Sequence, residues 1–342
     1  MSRPRRLLIL AEGHSADPHY GKTARGVVRY RREQVVAILD SERAGEMQDG
    51  VPIVASVDDA LCFNPTTALV GVATQGGRFP SAWRELLKST IAKGLDIENG
   101  LHEFISEDPE LVQLAARHHV ELRDLRKPPP GLNVPTGENL THQAKVVLTV
   151  GSDCAIGKMT VALELDAEAR RRGIASEFIP TGQTGIAIAG WGISVDAVVA
   201  DFIAGAAERL VLEGVARGGE LLWVEGQGSL LHPGYSGVTL GLVHGSAPHA
   251  FVLCHLVGQA FVDDDERFPM PSLGELVELH ERCALLARPA KVSAIALNTR
   301  TLDETAARAA ILAAEADTGL LADDPVRFGA GRITNIALET LG

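Results

Sequence analysis

The chain has 342 residues, with 32 Lys plus Arg against 44 Asp plus Glu, a formal net charge of −12. The length predicts two domains, each large enough for its own core, and the globular composition excludes global disorder. The acidic balance argues against nonspecific binding to nucleic acid or to an anionic membrane surface.

Leu7–Ala11 is an apolar run too short for a secretion signal or a membrane span, and it reads as a first buried strand. Val35–Asp40 and Ala68–Ala73 are further short apolar strands, while Ser81–Lys93 and Asp108–His118 have helical spacing. This alternation predicts a Rossmann-like domain over residues 1–130. Its strand-end turns Gly13-His14 and Thr74-Gln75-Gly76-Gly77 lie where open sheets place ligands. Lys22, Arg25 and Arg29 form either a basic patch for an anionic group or a solvated helix face.

Lys127–Gly137 holds four prolines, which excludes a regular helix or a central strand. Residues 131–143 are therefore read as a linker. Residues 144–342 then alternate again. Strands are expected at Lys145–Val150, Ala175–Pro180, Leu221–Glu225, Ala250–His255 and Val292–Leu297. Helices are expected at Lys158–Arg172, Val195–Arg217, Leu273–Ala287 and Leu302–Ala316. The pattern predicts a doubly wound parallel sheet of the P-loop NTPase-like type, so the whole chain is α/β.

The strongest motif is Gly151-Ser152-Asp153-Cys154-Ala155-Ile156-Gly157-Lys158-Met159-Thr160, between a strand and a helix. Glycines let the backbone curl so that N–H groups point inward. The helix N-terminus adds positive potential, and Lys158 adds a full charge. A phosphate or pyrophosphate is the expected ligand. Five residues separate the two glycines, and the hydroxyl of Thr160 comes one place late. One helical position is about 100° of rotation, which turns Thr160 away from a magnesium position. Phosphate binding is thus better supported than nucleotide hydrolysis.

Glu225 ends an apolar strand and enters the turn Gly226-Gln227-Gly228-Ser229. A carboxylate there can hold magnesium, act as a general base, or merely brace the turn. His232 on the same turn is the best catalytic histidine among His232, His244, His249 and His255. No tight metal-ligand spacing occurs, so no metal centre is expected. Thr181, Gln183 and Thr184 follow another strand, and with Gln227 they offer hydrogen bonds to a ligand. Asn298, at a late strand end, either reads a nucleobase edge or caps the next helix. Cys154 sits at a helix N-terminus without an adjacent histidine and reads as packing or ligand contact. The four cysteines form no CxxC pair, so reduced thiols and a cytoplasmic setting are expected.

Gly151–Thr160, Gln183–Gly185 and Glu225–Leu230 resemble the DgcN-type D-glutamate N-acetyltransferase family. So do Gly21–Ala24, Arg29-Tyr30, Val36–Ser41, Gly94–Ile97 and Gly100–His102. The resemblance spans nearly the whole chain. It implies a Rossmann-like domain joined to a phosphate-loop domain, and acetyl transfer from acetyl-CoA to a small amino acid, D-glutamate. The second domain is also similar to dethiobiotin synthetase. There a Gly-x5-Gly-Lys loop, a Glu-Gly-x-Gly turn and a late-strand Asn bind ATP and magnesium, corresponding to Gly151–Lys158, Glu225–Gly228 and Asn298.

On the acetyltransferase reading, the loop and Lys158 hold the CoA phosphates, and Glu225 or His232 deprotonates the substrate ammonium. Lys22, Arg25 or Arg267 would pair with a dicarboxylic substrate. The alternatives are an ATP/Mg-dependent ligase or kinase, and a non-catalytic nucleotide-sensing module. A homo-oligomer is the base expectation.

Overall fold

The computed structural model describes residues 4–17, 20–72, 77–80 and 82–341. The predicted turn at Thr74–Gly76, Ala73 of the third strand and Ser81 of the first helix lie outside them. The chain divides into two compact units. One comprises Met1–Lys127 with Ile186–Ser194; the other comprises Pro128–Gly185 with Val195–Gly342.

The first unit carries β1 (Leu7–Leu10), α1 (Lys22–Tyr30), β2 (Val35–Leu39), β3 (Met47–Gln48), β4 (Val51–Val54) and α2 (Val57–Ala60). It continues with β5 (Thr67–Val70), α3 (Trp83–Ala92), β6 (Asp96–Asn99), α4 (Pro109–His118) and β7 (Leu122–Asp124). Its sheet has the order β3-β4-β2-β1-β5-β6-β7. Among the described residues of this sheet, only the β3–β4 pairing is antiparallel. Every residue of β1 and β5 is buried, as expected for strands covered on both faces. α4 starts where Asp108 accepts the N–H groups of Glu110 and Leu111, with Pro109 in the first turn.

In this unit Asp40, at the end of β2, accepts from Gly13 N–H at 3.2 Å and Ser15 N–H at 3.0 Å. In dinucleotide-binding Rossmann domains a carboxylate near this place takes a ribose hydroxyl. Here it holds the loop after β1. Three arginines also grip one short stretch of main chain. Arg5 donates to the Ala187 carbonyl, Arg31 to Ile188 and Arg123 to Gly190. They explain why residues 186–194 belong to this unit although they are distant from it in sequence.

The second unit carries β8 (Lys145–Gly151), α5 (Lys158–Arg171), β9 (Ser176–Ile179), α6 (Gln183–Ala189), α7 (Ile203–Ala216) and β10 (Leu221–Val224). After these come α8 (Ser236–Ser246), β11 (Ala250–Leu256), α9 (Leu273–Arg282), β12 (Lys291–Asn298), α10 (Glu304–Thr318), β13 (Leu321–Asp323) and α11 (Gly331–Leu341). α6 starts in this unit, while its residues from Ile186 onward are counted with the other. The sheet order is β13-β12-β11-β8-β10-β9, with every pairing parallel. The chain leaves β8 toward one edge and β11 toward the other. The crevice at the carboxyl ends of these two neighbours is therefore a topological switch point.

Two local expectations change. Gln183 and Thr184, for which no helix was expected, begin α6. The stretch from Val195, read as one helix, begins with two 3-10 turns, Val195–Ala197 and Ala200–Phe202, before α7. The Pro-rich segment is strapped down inside the second unit. Glu208, itself 4% exposed, accepts from the N–H groups of Thr136 and Gly137, both at 2.6 Å. The Asn139 side-chain amide donates to the Gly245 carbonyl. A Cβ on Gly205 would lie 1.8 Å from the Asn133 carbonyl oxygen.

Buried imidazoles set an acid limit on this unit. His280 is 0% exposed; its Nδ1 meets the Leu276 carbonyl, and its Nε2 is buried without a partner. Burial pushes its pKa down to about 4, and that of His249 likewise to about 4. The unfolded chain protonates these groups near 6.5, while the folded one keeps them neutral. Stability is therefore full above about 6.5 and falls as pH drops toward 4. For His280 the gap corresponds to about 3 kcal/mol. Urea unfolding at pH 7 and pH 4.5 should show this loss, and His280→Leu should shrink the pH dependence.

Candidate phosphate-binding site

The loop between β8 and α5 curls as its glycines require. Ala155 has φ 54° and Gly157 φ 118°, so left-handed residues alternate and turn successive N–H groups to one side. A Cβ on Gly151 would meet Ile156 Cδ1 at 2.7 Å. Lys158, 6% exposed, lies under the loop and donates to the Asp153 carbonyl at 2.6 Å. Burial lowers its pKa, while Cys154, Cys254, Asp153 and Glu225 act in the opposite sense.

Asp153, though counted among the ligand residues by sequence, anchors the loop. One of its oxygens accepts from Cys154 N–H at 2.7 Å. The other accepts from Gln259 Nε2 and from Asp263 N–H. Ser152 is fixed on three sides. Its N–H bonds the Cys254 carbonyl, its carbonyl accepts the Ser229 hydroxyl at 2.8 Å, and its hydroxyl meets His255 Nδ1 at 3.0 Å. Asn298 donates to the Ile156 carbonyl at 2.8 Å. It braces the loop; the cap of α10 is Asp303. Met159 and Thr160 are half-buried in the first turn of α5.

Glu225 is 3% exposed at the end of β10. Its Oε2 accepts from Thr181 N–H at 2.9 Å and Gly182 N–H at 3.1 Å. The carboxylate thus ties the turn after β9 to the turn after β10. Three glycines make room for this. Added Cβ atoms on Gly182 and Gly185 would strike Gln227 and the Glu225 carboxylate, and one on Gly226 would strike the Thr149 carbonyl. Gln227 donates to Thr181 Oγ1 at 3.2 Å. Thr184 is buried in the first turn of α6, next to Gln183.

His232 is 7% exposed, and its Nδ1 accepts the Gly234 N–H at 3.0 Å. The neutral ring therefore carries its proton on Nε2, which faces Asp263 at 3.5 Å. In this arrangement Nε2–H is the ring's hydrogen-bond donor. Asp153, Cys154 and His232 come within 4.8 Å of one another, although no metal spacing marks them in sequence. A ligating His normally donates its second ring N–H. Here that nitrogen accepts one, and both Asp153 oxygens are engaged, so the trio is a poor fit to a cation.

The other cations expected at the site are exposed and, among the described residues, make no hydrogen bond to this cluster. Lys22 and Arg25 are exposed on α1 of the first unit. Arg267 is exposed and chelates Asp265, two residues away. Thr149, which bonds Gly226 N–H, was not singled out by sequence although it lies just before the Gly151–Thr160 motif, and Ser229, inside the turn after Glu225, was given no role of its own. Gln259 and Asp263 carry no local signal; only the folded chain brings them to Asp153.

A Rossmann-like unit followed by a phosphate-loop unit with a strand-end glutamate defines a two-domain α/β protein of the P-loop class. The family described as "Domain of unknown function (DUF1611_C) P-loop domain" matches residues 133–334, and its "DUF1611_N Rossmann-like domain" matches residues 39–128. The chain belongs to the DUF1611 family. It is 36% identical to a protein of Tritonibacter scottomollicae named D-glutamate N-acetyltransferase, over 96% of this chain and 97% of that one. It is 35% identical to a Pseudoalteromonas protein of the same name, over 86% and 87%. A crystal structure of a DUF1611 family protein from Anabaena variabilis is 39% identical. It superposes with a TM-score of 0.90, covering 98% of this chain and 99% of that one. Among the described residues, no helix is long and apolar enough to cross a membrane.

Proposed function

We propose that the protein is an N-acetyltransferase that moves the acetyl group of acetyl-CoA to the amino nitrogen of D-glutamate. The names of relatives sharing about a third of their residues along nearly the full chain support the reaction class and acceptor. The observation that carries the donor is the Gly151–Lys158 loop. Its inward N–H groups and buried lysine suit the pyrophosphate of a CoA ester. Neither Ser nor Thr directly follows that lysine, as a magnesium-binding loop would have.

The chemistry is a simple aminolysis. Glu225 takes a proton from the substrate ammonium, and the amine attacks the thioester carbonyl. The C–N bond forms, the C–S bond breaks, and the CoA thiolate leaves and takes up the second proton that the attacking nitrogen loses. His232 Nε2–H is a donor for an oxygen that becomes anionic on the way.

Lys158→Ala tests the donor assignment. Loss of a charge-assisted contact of about 2–3 kcal/mol should raise the Kd for acetyl-CoA by roughly 30- to 150-fold in calorimetric titration. Unchanged affinity for acetyl-CoA, or ADP release from ATP and magnesium upon adding an amino acid, would overturn the reading.

A further inference from the structure

We propose that His255 is a further ligand-binding residue of this site: a neutral imidazole whose Nε2–H donates to a phosphate oxygen held by the Gly151–Lys158 loop. The inference rests on the phosphate-binding reading of that loop and adds a residue to it.

The argument starts from a hydroxyl. Ser152 is 0% exposed, and its Oγ meets His255 Nδ1 at 3.0 Å. A buried hydroxyl hydrogen needs an acceptor. Among the described residues the ring nitrogen is the acceptor available to it. Ser152 therefore donates, and His255 Nδ1 accepts. A neutral ring with Nδ1 accepting must carry its hydrogen on Nε2.

That second nitrogen has no protein partner among the described residues. Unlike His280 Nε2 and both nitrogens of His142, it is not sealed from solvent. It stands near the end of β11, one residue past Cys254, which is paired with Gly151. That strand end borders the switch-point crevice beside the phosphate loop. Burial lowers the His255 pKa, which keeps the ring uncharged at neutral pH. A neutral donor discriminates by direction as well as charge: it rewards an anionic oxygen placed in line with N–H. Ser152 is then a positioning residue, since it fixes the tautomer and acts through the ring.

Two measurements on the full chain test this. Long-range proton–nitrogen NMR on 15N-histidine-labelled protein should show His255 as the Nε2–H tautomer, with Ser152→Ala giving a tautomer mixture. Titration with inorganic pyrophosphate and with CoA should show about tenfold weaker binding for His255→Ala, and a smaller loss for Ser152→Ala. An Nδ1–H tautomer in the native protein overturns the proposal even if the variants fail to fold. So does unchanged pyrophosphate affinity in His255→Ala where Lys158→Ala loses it. If Lys158→Ala also keeps its affinity, the phosphate reading itself fails, and this assignment with it.

Discussion

Glu225→Gln should lower kcat for acetyl transfer to D-glutamate by about 10²- to 10⁴-fold, the usual range for removing a general base. Its thermal midpoint should stay close to that of the native protein. The two expectations separate because the side chain has two tasks. Its Oε2 accepts from the N–H groups of Thr181 and Gly182, and a glutamine carbonyl oxygen can accept the same bonds. The amide cannot take a proton from an ammonium group. Release of CoA thiol measured at saturating substrates reads the first effect, and differential scanning fluorimetry reads the second. A variant with native kcat would move the proton transfer to another residue. A variant that loses both activity and stability would make Glu225 a brace between two turns.

Gly226→Ala should fail in a different way. Its Cβ would lie 1.7 Å from the Thr149 carbonyl oxygen, on the neighbouring strand, and 3.0 Å from Lys158 Cδ. Neither can be relieved by turning a surface side chain. β10 would have to leave β8 where Gly226 N–H bonds Thr149 Oγ1 at 2.9 Å. A cost of about 3 kcal/mol or more is expected, which lowers the midpoint by roughly 6–12 °C for a unit of this size. Gly237→Ala is the matched control. It lies in α8 with nothing within 4 Å of the new methyl, so it should leave the midpoint level or slightly raised. Equal midpoints for the two variants would refute the packing argument.

Much of this arrangement is legible in the sequence because its signals are local. Val146–Val150 is apolar except for Thr149, and Gly151–Lys158 follows it directly, so strand, loop and helix can be read together. Residues 183–189 carry a weak helical signal because Gly185 and the β-branched Thr184, Ile186 and Ile188 are poorer helix formers. What accompanies the helix there is long-range: Arg5 and Arg31 bond carbonyls more than 150 positions away. Asp153 misleads for a related reason. Beside a phosphate loop it reads as ligand-facing, yet Gln259 and Asp263, over 100 residues later, share one of its oxygens. The pairing of Ser152 with His255 has a separation of 103, and no periodicity announces it.

The fastening of residues 133–139 has a practical corollary for dissecting the chain. Proline and glycine between two domains usually invite a protease or a truncation boundary. Here a cut at 143 would strip the partners of Glu208 and leave its buried carboxylate on α7 uncompensated. Limited digestion should therefore spare Thr136–Leu140. Of two shortened versions carrying only the phosphate-loop half, the one starting at Pro128 should have a higher thermal midpoint than the one starting at Ala144.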